Sequence, residues 1–126
     1  MLKSALFLAA LLSPFASVAG PSSFIFEVNG TKETYSPGCI KSISYVPNDE
    51  VDSENVDFTL RNECGKKLFV NTKQNIGKKL SIYYKGNLLS SATIVSVLRN
   101  TFRISSKEMP RIVLMQLLYD YGVKRN

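Results

Sequence analysis

The stretch that decides the fold is residues 77–94, which reads GKKLSIYYKGNLLSSATI. Alternate residues are apolar in the run 80–84, the pair Lys85-Gly86 follows, and a second apolar run begins at Leu88. Alternation with a period of two is typical of a half-buried strand. A turn that contains glycine between two such runs indicates a β-hairpin. The stretch therefore predicts two adjacent antiparallel strands.

Turn signals divide much of the remaining chain into further strands. Asn29-Gly30 favours a type I′ turn, because both residues tolerate positive φ, and it predicts an N-terminal β-hairpin. Arg99-Asn100 is a candidate for the last tight turn. The predicted strands cover residues 23–28, 31–35, 40–46, 56–62, 79–85, 88–98 and 101–105.

Two segments have the pattern of helices. In residues 65–76, Leu68 and Phe69 fit one side together with Ile76, while Thr72 is expected to be exposed. Residues 110–121 form the second predicted helix, since they begin with a proline, which the first turn of a helix tolerates.

The ends of the second helix also carry signals. Ser105 or Ser106 with Glu108 offers N-terminal capping, and Gly122 offers a C-terminal stop. This helix has apolar residues on more than one face: Ile112, Val113, Met115, Leu117, Leu118, Tyr119 and Tyr121. A helix with more than one apolar face is either deeply buried or in contact with a partner. We therefore name Val113, Leu117 and Tyr121 as candidate partner residues.

The order of these elements predicts an α+β fold. A mostly antiparallel sheet has two helices packed on one face, and an N-terminal β-hairpin precedes it. At 126 residues the chain has the length of one domain.

The first 19 residues resemble a secretory signal peptide. Lys3 supplies a basic start, residues 5–12 a short apolar core, and residues 17–19 a cleavage site of small residues. A membrane span needs about 20 apolar residues, and this stretch is shorter and interrupted by Pro14. We expect cleavage to leave one exported domain, residues 20–126, in the periplasm or outside the cell, without a stable membrane anchor.

Cys39 and Cys64 predict a disulfide, because compartments outside the cytoplasm are oxidising. If strands 40–46 and 56–62 pair antiparallel, one register places Cys39 opposite Cys64 and Ile43 opposite Leu60. The bond would then close the open end of this hairpin and stabilise it by about 3 kcal/mol. Two free buried thiols are the alternative.

Charge and residue types restrict the chemistry. The chain contains 16 basic residues, 10 acidic residues and no histidine. Ser-His and Cys-His dyads and histidine-based metal sites are therefore excluded. We expect no catalytic residues, no cofactor and no metal. The acidic segment 48–55 is either a solvated hairpin tip or a site for a hard cation.

The two halves of the chain differ in charge. Residues 20–64 contain three basic and eight acidic residues, whereas residues 65–126 contain twelve basic and two acidic residues. The basic half is either a solvated surface or a surface for an acidic partner. Its basic residues interleave with aromatic ones, a pattern found in nucleic-acid binding, but export argues against a nucleic-acid partner. Lys78, Lys79, Tyr83 and Lys85 are candidate partner residues in this half.

Residues 56–122 resemble the head of the first periplasmic domain of the SecD/SecDF protein-export subunits. The resemblance rests on the order of short motifs: residues 58–60, Gly77-Lys78, the strand around Ile82, the serine-alanine pair at 91–92, and the segment 104–106 before the last helix. The family often has Asp where this chain has Lys85. The disulfide is not a feature of the family pattern.

The resemblance implies the fold of an exported head domain that contacts translocating polypeptide. We therefore predict a non-enzymatic protein-binding domain that engages another chain by strand addition or by apolar packing. The alternative is an inhibitor or immunity protein that blocks a periplasmic hydrolase or toxin. A small hydrolase is the third reading, and self-association through the last helix is a further one.

Overall fold

The computed structural model describes residues 20–47 and 53–123. The predicted signal peptide and the acidic residues Asp49, Glu50 and Asp52 lie outside the described residues.

The N-terminal hairpin is confirmed. Strand β1 (Phe24–Val28) pairs antiparallel with β2 (Thr31–Tyr35). The turn residues Asn29 and Gly30 have φ values of 51° and 81°, as a type I′ turn requires.

The hairpin belongs to a four-stranded antiparallel sheet. Strand β5 (Lys79–Tyr84) pairs with β1 on one side and with β6 (Asn87–Thr93) on the other, so the order is β2-β1-β5-β6. The turn residues Lys85 and Gly86 again have positive φ, which confirms the hairpin that the opening stretch predicts.

The remaining strands form a second, three-stranded antiparallel sheet in the order β3-β4-β7. Its strands are β3 (Ile40–Val46), β4 (Asn55–Leu60) and β7 (Thr101–Ser105). Strands β6 and β7 therefore belong to different sheets. The predicted tight turn at Arg99-Asn100 between paired strands is wrong, because residues 94–100 cross from one sheet to the other.

The first helix, α1, spans Asn62–Lys73 and begins earlier than predicted. Leu68 is buried as expected, but Ile76 lies beyond the helix and is half exposed. Thr72 is buried, not exposed, because its hydroxyl donates to Leu68 O and accepts from the amide of Leu98. A polar side chain with partners of its own can occupy an inward position.

The second helix, α2, spans Arg111–Asp120. Pro110 occupies the N-cap position without a side-chain cap, so the predicted capping by Ser105 or Ser106 is not formed. Gly122 has a φ of 65° just after the helix, and the C-terminal stop is confirmed.

The disulfide joins Cys39 and Cys64, whose Cα atoms are 5.6 Å apart. The predicted strand register is wrong: Ile43 pairs with Phe58, and a bulge lies near Ile40. Cys39 ends a one-turn 3-10 helix and Cys64 lies in the first turn of α1, so the bond links two helical segments beside the hairpin.

The two sheets face each other across an aromatic core. Phe24 of β1 meets Phe58 of β4 edge to face, with ring centroids 5.4 Å apart, and Phe58 stacks on Phe102 of β7. Both helices contact the inner face of the four-stranded sheet: Lys67 of α1 lies over the ring of Tyr35, and Asp120 of α2 accepts from the hydroxyl of Tyr84. The α+β fold with an N-terminal hairpin and two helices is confirmed.

Candidate polypeptide-binding cleft

Each sheet ends in two edge strands, and three of these four edges carry protection against further pairing. A charged residue on an edge strand discourages another strand from adding to it. Strand β2 has Lys32 and Glu33, β3 has Lys41 together with a bulge, and β7 has Arg103.

Strand β6 is the exception among the described edges. Its sequence, NLLSSAT, contains neither a charged residue nor a proline. A bulge near Leu89 interrupts the first part of the strand, whereas the residues from Ser90 onward pair regularly with β5. Ser91, Ala92 and Thr93 are exposed. The second part of β6 is therefore an accessible edge.

An apolar cleft opens between the edges of β6 and β7. Its volume is about 160 Å³. The apolar residues that line it come from both sheets and from the crossing segment: Leu80, Ile82, Ala92, Ile94, Val95, Leu98, Phe102 and Ile104. Val95 is 82% exposed at the rim, while Ile94 and Ile104 are buried. At this place the core of the domain can be reached from its surface.

The segment 94–100 that closes one end of the cleft is held at several points. The amide of Ile94 donates to Lys78 O, and the amide of Leu98 donates to the Thr72 hydroxyl. Asn100 donates from its side chain to Asn62. Any Cβ at Gly65 would overlap the Asn100 side chain, so this close approach of α1 requires glycine. The cleft is therefore preformed.

The candidate partner residues of α2 lie mostly in the core and not on the surface. Val113 and Leu117 are buried in the core and do not form a surface. Tyr121 is half-buried, and its hydroxyl donates to Ser22 O. The exposed apolar residues of this helix are Ile112, Met115 and Tyr119.

The candidates in the basic half are dispersed. Lys78 and Lys79 are exposed. Tyr83 is half-buried and lies, with Lys79, on the face of the four-stranded sheet that is turned away from the core. Lys85 is held in an ion pair with Asp120, 2.8 Å apart. The structure therefore does not bring these four residues together in one site.

The buried Asp120 fastens the end of α2 to the sheet. Burial opposes its ionisation, but hydrogen bonds from Lys85, Tyr84 and Gln116 outweigh that effect and hold the pKa of Asp120 below its ordinary value. Burial and the hydrogen bond to Asp120 raise the pKa of Tyr84. This arrangement explains why a lysine at position 85 suits this chain: it neutralises a buried carboxylate.

The acidic residues that flank the hairpin tip are paired with arginines. Arg111 donates to Glu54 from its two terminal guanidinium nitrogens at 2.7 and 2.9 Å, and Tyr45 donates to the same carboxylate. These hydrogen bonds, that from Arg111 first, lower the pKa of Glu54 to about 2. Asp57 also accepts two hydrogen bonds, from Nε and one terminal nitrogen of Arg103. Within residues 20–47 and 53–123, no three metal-ligating side chains form a cluster.

The sequence patterns did not identify this cleft. Residues 88–98 are read as one strand because they are nearly all apolar or small, yet the strand ends at Thr93 and the chain then crosses between the sheets. The lack of any charge in residues 87–93 was the available signal, because edge strands usually carry one.

The fold and the cleft define an α+β domain with two facing antiparallel sheets and one accessible sheet edge. The family model for the SecDF P1 head subdomain matches residues 33–111, which is more than half of the chain. The chain belongs to this family, and the resemblance seen in the sequence is confirmed. The matched range begins earlier than the predicted residue 56 and ends at the start of α2.

A solved structure described as "a membrane component SecDF that enhances protein export" has the same fold. It is 15% identical to this chain, with a TM-score of 0.61, and the match covers 92% of this chain and 69% of the other. No curated protein matches the sequence significantly. Among the described residues, neither helix has the length and apolar character needed to cross a membrane.

Proposed function

We propose that this protein is a non-enzymatic domain of protein export that binds extended polypeptide, outside the cytoplasm, in the cleft between β6 and β7. The observation that carries the proposal is the cleft itself, which combines apolar walls with an accessible strand edge. Unfolded chains offer main-chain groups and apolar side chains, and such a cleft suits both.

Membership in the SecDF head family supports a role in export. The related structure comes from a component described as enhancing protein export, and it shares the fold of this chain. The signal-like residues 1–19 and the disulfide are consistent with action in an oxidising compartment.

The state of the reactive side chains supports a binding role over catalysis. Both cysteines are used in the disulfide, and the chain has no histidine. Glu54, Asp57 and Asp120 are each held in an ion pair with a basic side chain. Glu54 and Asp120 are poor general acids or bases, because their pKa values are held below the ordinary range of a carboxyl group.

The test compares two tryptophan substitutions on neighbouring residues of β6. Ala92 lines the cleft, so Ala92→Trp should fill it, whereas Ser91 lies on the opposite face, where Ser91→Trp should leave the cleft open. The probe is a fluorescein-labelled peptide, STVTLTVTS, with binding followed by fluorescence anisotropy. We expect Ala92→Trp to weaken binding at least about tenfold and Ser91→Trp to have little effect.

Two results would contradict the proposal. One is a wild-type protein that does not bind the peptide, and the other is equal binding by wild type and Ala92→Trp. Stoichiometric binding of a single folded hydrolase that Ala92→Trp leaves unchanged would instead favour the inhibitor alternative.

A further inference from the structure

The accessible part of β6 presents main-chain groups in a defined direction. Alternate residues of a strand direct their N–H and C=O groups to opposite sides. The amide and carbonyl of Ile94 both bond to the β5 side, to Lys78 O and Gly77 N. The main-chain groups of Thr93 and Ser91 are therefore directed away from β5, toward the open edge.

The cleft beside this edge has the capacity for one large apolar side chain. Its volume of about 160 Å³ is close to that of a dry apolar cavity, about 150 Å³, that binds benzene. Ala92 and Ile94 line the cleft, whereas the Ser91 side chain bonds to Ser81 on the other face of the sheet. A strand paired with β6 would therefore direct every second side chain at the cleft.

The charge around the cleft affects which guest strands can bind. Arg103 is the one charged residue among the described residues that line the cleft, and its guanidinium is paired with Asp57. The chain as a whole has a net charge of +6. This net positive charge disfavours a basic guest and favours an uncharged or acidic one.

Building on the proposed function, we propose that the cleft binds its guest by strand addition to β6. The guest is an extended, proline-free and uncharged or acidic segment of another polypeptide. Its main chain pairs with Ser91 and Thr93, and one apolar side chain fills the cleft. The main chain supplies affinity that is independent of sequence, and the cleft supplies a preference for an apolar anchor.

The first experiment removes a main-chain donor and leaves the cleft intact. Thr93→Pro deletes the outward amide at an edge position, where proline is tolerated in folded sheets. Thr93→Ala is the matched control, since it shortens the same side chain and keeps the amide. We expect peptide STVTLTVTS to bind Thr93→Pro about tenfold more weakly than it binds Thr93→Ala. Far-ultraviolet circular dichroism checks that both variants are folded.

The outcomes separate the mode of binding from binding itself. If the peptide binds wild type and Thr93→Pro equally, strand addition is wrong while the proposed function stands. If wild type does not bind the peptide at all, the proposed function fails, and this inference fails with it.

A second measurement needs no variant and therefore stands even if Thr93→Pro does not fold. Amide hydrogen exchange of wild type, measured by NMR, should slow at Ser91 and Thr93 when the peptide is added. The amides at the edge of β2 should not change. Unchanged exchange at both residues contradicts the inference. The inference is also overturned if, without peptide, exchange at Ser91 and Thr93 becomes slower as the protein concentration increases. A second copy of the protein would then occupy the edge.

A basic and an acidic peptide together test the predicted charge preference of the cleft. The peptide SKVTLTVKS should bind more weakly than SDVTLTVDS at low salt, and the difference should shrink as salt screens it. Equal binding at low salt would contradict the charge preference.

Discussion

The two edges of the four-stranded sheet differ in how they are protected against further strand pairing. The edge at β2 carries charged residues, and Lys67 of α1 reaches across it to donate to Thr34 O at 2.9 Å. The nearby disulfide fastens the start of α1. The edge at β6 has no charge, and a cleft lies beside it. We call these the closed side and the open side of the domain.

The two sides should therefore differ in how much their residues contribute to the stability of the domain. On the closed side, Leu68 is buried and the start of α1 is held by the disulfide, so the loss of either should be costly. On the open side, the exposed rim residue Val95 should contribute little to folding, as is typical of sites that bind other molecules. The predictions below test this contrast, beginning with the largest effect.

The core residue Leu68 on α1 should give the largest loss on the closed side. Its side chain is fully buried, so Leu68→Ala removes apolar contacts and leaves a cavity. We expect the free energy of unfolding in urea to fall by about 3–4 kcal/mol. Val70→Ala on the same helix is the matched control, because Val70 is half exposed and should cost less than about 1 kcal/mol. Equal losses for both would contradict the assignment of the buried face.

Removal of the disulfide should have the next largest effect. The bond closes a loop between residues 25 positions apart, and the chain-entropy estimate for such a loop is roughly 3 kcal/mol. The double variant Cys39→Ala/Cys64→Ala should therefore unfold at a lower urea concentration than the oxidised wild type. The reduced wild type should match the double variant. A stability equal to that of oxidised wild type would show that α1 does not depend on this bond.

The ion pair of Glu54 and Arg111 should contribute less, and in a way that depends on pH. The pKa of Glu54 is lowered from an ordinary 4.5 to about 2 in the folded protein. The carboxylate therefore adds stability that is complete above pH 4.5 and is lost as the pH falls toward 2. Glu54→Gln should lower the stability at pH 7, but by less than removal of the disulfide, because Arg111 is largely solvated and water screens the pair.

The measurement is urea unfolding of wild type and Glu54→Gln across the acid range. The difference between them should shrink as the pH decreases from 5 to 2. A difference that stays constant over this range would mean that the two bonds to Arg111 do not depend on the charge of Glu54.

The smallest effect is expected on the open side. Val95 is 82% exposed at the rim of the cleft, so Val95→Ser should change the free energy of unfolding by less than about 0.5 kcal/mol. A loss of 2 kcal/mol or more would show that Val95 is packed in solution and that the cleft is closed there.

Local patterns predicted the elements that depend on local physics. The Asn29-Gly30 and Lys85-Gly86 turns adopt positive φ, and both hairpins form as expected. The helix at the end of the chain stops before Gly122 for the same local reason. The pairing of Cys39 with Cys64 was also predicted, because these are the two cysteines of the chain.

Predictions that required knowledge of neighbours were less accurate. Apolar residues surround α2, so the sequence could not tell that Leu117 faces the core while Ile112 is exposed. Thr72 was expected outside, but its hydroxyl finds partners inside. In each case the environment, and not the residue type, decides which side is buried.

The sequence by itself determined the hairpins and the class of fold, because turn chemistry and residue periodicity act over a few neighbouring residues. It also carried the sulfur pairing, since the chain has two cysteines, and the resemblance to the SecDF head, through the order of its motifs. Only the tertiary structure decided that the strands divide into two sheets, and that β6 and β7 leave a cleft between their edges. The physical reason is that a sheet edge is defined by the absence of a neighbouring strand, and residues distant in the sequence determine which strands become neighbours.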